Sequence, residues 1–120
     1  QGKRSLKSPT SDTIERIHYA RTILLQNISD PPTIAELAKQ VQVNEYTLKC
    51  GFRDCFNATI FRYIHDCRLE QAKQLLDTGE MKVAEVMNAV GFRDRHHFAA
   101  AFRKKFGINP RNCLMQSKQH

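Results

Sequence analysis

Ile60-Phe61-Arg62-Tyr63-Ile64-His65-Asp66-Cys67-Arg68-Leu69-Glu70-Gln71-Ala72-Lys73-Gln74-Leu75-Leu76 carries its apolar residues at 60, 61, 64, 67, 69, 72, 75 and 76, with charges and amides between them. That spacing fits an amphipathic helix and not a strand. No Gly or Pro interrupts it, while Thr59 before it and Gly79 after it are start and stop signals. Its flanks make it central: a pattern of two short helices occurs once before it and once after it.

Before it, Thr33-x-x-Glu36 is a capping box that opens a helix bearing Ile34, Leu37, Ala38 and Val41. Asn44 then caps a second helix with Leu48, Phe52 and Phe56 at i, i+4, i+8. Two short helices about a tight turn describe a helix-turn-helix. After it, Ile34, Ala35, Glu36 and Leu37 find partners in Val83, Ala84, Glu85 and Val86. With one inserted residue near Arg93, Asn44 pairs with Asp94, Leu48 with Phe98, Phe52-Arg53 with Phe102-Arg103 and Phe56 with Phe106. Apolar, capping and basic positions agree together, which predicts two helix-turn-helix units in one chain. Gly91 suits a left-handed turn residue, and Gln42 holds that place in the first copy as a weaker fit.

Further out, Asp12-x-x-Glu15 resembles a capping box ahead of a helix carrying Ile14, Ile17, Leu24 and Ile28 and closed between Asn27 and Pro32. Asn109-Pro110 starts a last short helix, to about Met115. Residues 1–11 are polar, basic and aperiodic, which predicts a linker or tail at the end of a connection from an upstream domain; residues 117–120 form a second tail.

The chain has 120 residues and a formal charge of +7, enough for one domain and its core. A basic surplus of that size makes a polyanion the first partner to consider. No run approaches the roughly 18 apolar residues of a membrane span, so no membrane partner is expected and the location expected is cytoplasmic. Cys50, Cys55, Cys67 and Cys113 contain no Cys-x-x-Cys pair and are expected to be buried, reduced thiols. His96-His97 is no metal pair, because neighbours at i, i+1 do not share a helix face. No nucleophile–base spacing, phosphate-cradling glycine loop or carboxylate cluster suggests an enzyme, and no cofactor or metal is expected.

Taken together, Thr33-Ile-Ala-Glu-Leu-Ala, Leu48 … Phe52-Arg53 … Phe56, Tyr63-Ile64 … Arg68-Leu69 … Ala72 … Leu75-Leu76, Gly91-Phe92 and Phe98 … Phe102-Arg103-Lys104 … Phe106-Gly107-Ile108-Asn109-Pro110 are highly specific. From about Thr13 to Leu114 the chain resembles the DNA-binding domain of AraC/XylS-type transcription regulators. The resemblance implies an all-α fold of about seven helices, two helix-turn-helix subdomains joined by a central linker helix. The domain would span 12–116, with units at about 33–57 and 82–106 and the linker at 60–76. Seventeen linker residues make a rod of roughly 26 Å, against about 34 Å between successive major grooves on one face of B-DNA. One chain could thus present two recognition helices to adjacent grooves, with some DNA bending.

By the same resemblance, Tyr46, Lys49 and Cys50 on the first recognition helix reach base edges, as do Arg95, His96, His97 and Ala100 on the second. Lys49 and Arg95 suit guanine O6 and N7. Cys50 stands where the family often has Arg, and Ala100 where many relatives carry a long polar side chain. Arg53, Arg103, Lys104 and the helix start at Thr33 are assigned to phosphates. The Phe52, Phe56, Phe98, Phe102 and Phe106 set points inward as core. The function implied is sequence-specific binding of double-stranded DNA by a bacterial transcription regulator, an activator that also contacts RNA polymerase. An effector would act through a partner domain absent from this chain, and the fragment is expected to be monomeric. The Asn44–Ile64 segment is also similar to a branch that answers iron–siderophore complexes. The alternative function is nonspecific nucleic-acid binding, marked by steep salt dependence without a preferred sequence. A remote third, in which Cys50 or Cys55 accepts an alkyl group, follows from the similar module carried by some DNA-repair proteins.

Overall fold

A computed structural model of the chain describes residues 10–119, and among these every regular element is a helix. The seven are α1 (Ser11–Gln26), α2 (Ile34–Gln40), α3 (Glu45–Phe56), α4 (Ile60–Thr78), α5 (Val83–Val90), α6 (Arg95–Phe106) and α7 (Pro110–Ser117). The tail expected at residues 1–11 lies outside the described residues except for Thr10 and Ser11. These two depart from it: Ser11 is helical, and the Thr10 hydroxyl accepts the Thr13 N–H at 3.1 Å as the N-cap. The capping box expected at Asp12 is therefore corrected. Asp12 sits in the first turn, where its carboxylate takes the Arg16 Nε–H at 2.8 Å. At the other end α7 continues to Ser117, past the expected Met115, with the Ser117 hydroxyl donating to Leu76 O at 2.9 Å.

The described residues divide into two compact units, one up to Ile64 and the other from His65, each with its own apolar core. In the first, Ile17, Ala20, Ile23 and Leu24 of α1, Leu37 and Ala38 of α2, Leu48 and Phe52 of α3 and Ile60 of α4 are buried together. Phe56 and Tyr63 close the edge of that core, ring to ring with Phe52 at 4.6 and 5.3 Å. Arg21 lies over the Phe56 ring at 4.8 Å, a cation–π contact. In the second, Leu69, Ala72 and Leu76 of α4 meet Val86, Val90, Phe92, Phe98, Phe102, Cys113 and Leu114.

The repeat extends into the backbone. Thr33 and Lys82 precede α2 and α5, and their N–H groups donate to Glu36 and Glu85 at 2.9 and 2.8 Å. The Thr33 hydroxyl completes its box by accepting the Glu36 N–H; Lys82 has no acceptor, so the second box is half of one. Asn44 and Asp94 cap α3 and α6, and Thr59 and Asn109 cap α4 and α7. Gln42 adopts φ 64°, matching Gly91 at φ 96°, and Asn57 at φ 58° matches Gly107 at φ 76°. Left-handed backbone is unfavourable for residues with a Cβ. At Gln42, Arg16 Nη1 supports it, donating to Val41 O, Gln42 O and Gln42 Oε1 at 3.2, 3.4 and 2.9 Å.

The copies also share a helix position that the sequence reading did not pair. Arg16-Ile17 … Ala20 … Ile23-Leu24 on α1 has its counterpart in Arg68-Leu69 … Ala72 … Leu75-Leu76 on α4. In both sets the apolar residues enter their own unit's core. From Leu69 onward, α4 does for the second unit what α1 does for the first.

Candidate nucleic-acid interface

Each helix-turn-helix anchors one face of its second helix, α3 or α6, in a core and exposes the other. In α3 the buried residues are Leu48, Cys50, Gly51 and Phe52, which leaves Glu45, Tyr46, Lys49 and Arg53 outside. Tyr46, Lys49 and Arg53 at i, i+3, i+7 share one face, and Tyr46 is 63 % exposed. The Asn44 amide oxygen accepts the Thr47 N–H at 2.7 Å and fixes the start of the helix. In α6, Phe98 and Phe102 are buried, while Arg95, His96, His97, Ala100, Arg103 and Lys104 are exposed. Asp94 fixes that start by accepting the His96 and His97 N–H groups at 2.9 and 3.4 Å.

Two of the expected contacts meet obstacles in the structure. Cys50 is only 2 % exposed, so its thiol is not presented to a base edge. Thr33 is committed to its capping box through both its N–H and its hydroxyl oxygen. The Glu36 carboxylate at 2.9 Å also makes that helix start a poor seat for a phosphate.

The basic residues fall into two groups. Lys105 is drawn to Glu70 of α4 at 3.4 Å and Lys73 to Asp77 at 2.8 Å. Among the described residues, no ion pair engages Lys49, Arg53, Arg95, Arg103 or Lys104. Those five cations lie on the exposed sides of α3 and α6. The last turn of α6 holds Arg103, Lys104 and Lys105, where cations also complement the helix dipole.

Sequence reading missed one grouping. The His97 ring lies 5.6 Å from His65 of α4 and 5.8 Å from Phe92, so His97 is partly held by stacking. Residues 32 positions apart give no periodic signal of such a meeting. All four cysteines are free thiols; Cys50 and Cys113 are buried, as expected, while Cys55 and Cys67 are half-buried. Burial pushes the Cys55 and Cys113 thiols above their ordinary range. No group of three or more metal-ligating side chains occurs among the described residues, and none of their helices is long and apolar enough to cross a membrane.

A family model described as a helix-turn-helix domain matches residues 37–116. The chain belongs to the AraC family of transcription regulators, as its DNA-binding domain. The relatives it matches are described as transcription regulators. Among curated relatives, the AraC-type chain is 40% identical over 74 residues to the regulatory protein PchR of Pseudomonas aeruginosa, covering 62% of this chain and 25% of that one. It is 27% identical over 110 residues to the transcriptional activator RhaS of Escherichia coli, covering 92% of this chain and 40% of that one. It thus spans well under half the length of these relatives. An AraC-type DNA-binding domain structure from Chromobacterium violaceum is similar with a TM-score of 0.79 at 25% identity, covering 92% of this chain and 98% of that one. The DNA-binding domain of AdpA, solved in complex with a target DNA, has the same fold, with a TM-score of 0.78 at 21% identity over 87% of this chain and 94% of that one.

Proposed function

We propose that this AraC-type domain binds double-stranded DNA sequence-specifically, with α3 and α6 reading adjacent major grooves. The observation that carries the reading is the pair of capped, core-anchored helices whose exposed faces hold unpaired cations. Lys49 and Tyr46 read bases from α3; Arg95, His96 and His97 read from α6, with Ala100 limited to apolar contact such as a thymine methyl. Arg53, Arg103 and Lys104 hold phosphates and fix register. The units at 33–57 and 82–106 act as two half-site readers in one monomeric chain, α4 linking them within a domain of about 12–116. The parent regulator works in the cytoplasm as an activator, contacts RNA polymerase, and receives its effector through a domain outside this chain.

Selection of sites from a random duplex pool at near-physiological salt tests this. The expected product is two short preferred blocks about one helical turn apart, bound by one chain. A single block would remove base reading from one helix. Binding without enrichment, with a steep salt slope, would make the domain a nonspecific polyanion binder.

A further inference from the structure

The first unit contains a cavity of about 250 Å³ whose apolar lining the DNA-reading assignment does not use. Its apolar lining comes from Ile34 of α2, the buried Cys50 of α3, and Ile60 and Phe61 of α4. Lys49 and Arg53, one turn apart on α3, contribute the charge. Neither is paired with a carboxylate among the described residues. Thr59, the cap of α4, stands at the same cavity, with its hydroxyl accepting the Arg62 N–H at 3.1 Å. The positive end of a 19-residue helix therefore adds to the two cations. Phe61 forms one wall and is 78 % exposed, so its ring is accessible from solvent.

The repeat shows that these features are not generic to the unit. In the second copy Lys49 is replaced by Ala99, Cys50 by Ala100 and Phe61 by Arg111. The first unit alone combines this aromatic wall with a paired cationic rim.

We infer that this cavity binds a small amphipathic carboxylate, its aryl or branched-alkyl body against Ile34, Ile60 and Phe61 and its carboxylate on Lys49 and Arg53. An apolar pocket with few convergent polar groups is the usual form of a small-molecule site, and this one is sized for a compact ring. Because the same two cations belong to the proposed DNA face, such a ligand competes with duplex DNA. Only that competition rests on the proposed function; the binding itself does not.

The test is an amide-resolved NMR titration of the chain with benzoate, benzamide and inorganic phosphate at constant ionic strength. Benzoate should give saturable millimolar shifts centred on Lys49, Cys50, Arg53 and Phe61, and the other two probes should not. Arg53→Gln should weaken benzoate about tenfold, the loss expected for one charge-assisted hydrogen bond. Phe61→Ala should weaken it several-fold, with the free spectra of both variants confirming the fold. Equal shifts from benzamide would overturn the charge argument. Equal shifts from phosphate would make the cavity a seat for the DNA backbone, and shifts spread evenly over all basic residues would abolish the site. Benzoate, but not benzamide, should then raise the apparent Kd for the selected duplex. A chain that binds benzoate but no duplex would overturn the DNA reading and keep the site.

Discussion

Gln42 is the clearest case of one residue carrying a structural obligation inherited from the repeat. It takes a left-handed backbone that Gly91 fills freely in the other copy, and Arg16 underwrites it with three hydrogen bonds. Gln42→Val should cost about 1–2 kcal/mol, because a branched Cβ is least tolerant there. Gln42→Gly should leave the urea midpoint nearly unchanged, since relief of the backbone offsets the lost Oε1 contact. Equal losses in both variants would show that the side-chain contact dominates. Among the DNA-facing residues, Arg95→Ala should relax base preference in one half of the site and Lys49→Ala in the other. Each should cost about 1–3 kcal/mol of discrimination in binding to single-base variants of the selected duplex. Cys113 carries a titration signature. Its thiol donates to Asp77 at 3.6 Å, and burial raises its pKa above the ordinary 9.0. A raised folded pKa holds its stabilisation below pH 9.0 and loses it as pH climbs through the folded value. Lys73, raised first by its bond to Asp77, acts in the same direction from its ordinary 10.5. Unfolding midpoints should therefore fall on the alkaline side, and Cys113→Ala should flatten the first part of that fall.

At the scale of elements, α3 and α6 were legible because core, cap and turn positions recur together. Leu48, Phe52 and Phe98, Phe102 are buried as their spacing implies, and Asn44 and Asp94 cap as expected. Cys50 was not legible, because it lies off the Leu48, Phe52, Phe56 line of α3 and is buried all the same. At α1 two neighbouring residues, Thr10 and Asp12, could each have capped the helix. The i, i+4 pairing of Asp12 with Arg16 accompanies the cap at Thr10. The partnership of α1 with the second half of α4 was hidden by loop length. Residues 27–33 join α1 to α2, but only residues 79–82 join α4 to α5, so one alignment offset cannot show both matches. The exposed faces make a separate prediction: Arg53→Ala, Arg103→Ala and Lys104→Ala should weaken all duplexes alike. Each should reduce the slope of log K against log salt by about one unit.

For the whole molecule, two cores in one chain mean that damage should stay local. Phe52 and Phe102 hold equivalent places, both fully buried. Phe52→Ala should cost about 3–5 kcal/mol and raise amide exchange through α1, α2 and α3 while α5, α6 and α7 keep their protection. Phe102→Ala should do the reverse. Loss of protection throughout the chain from either substitution would show one cooperative unit instead of two.

Helix α4 serves both cores, and it does so unevenly along its length. Ile60, Tyr63 and Ile64 belong to the first and Leu69, Ala72 and Leu76 to the second, and His65 stacks on Phe92 of that second core at 5.6 Å. Mutational tolerance should therefore dip at each run of core residues along this helix. Natural variation along this one helix is thus answerable to two separate cores, each constraining its own stretch.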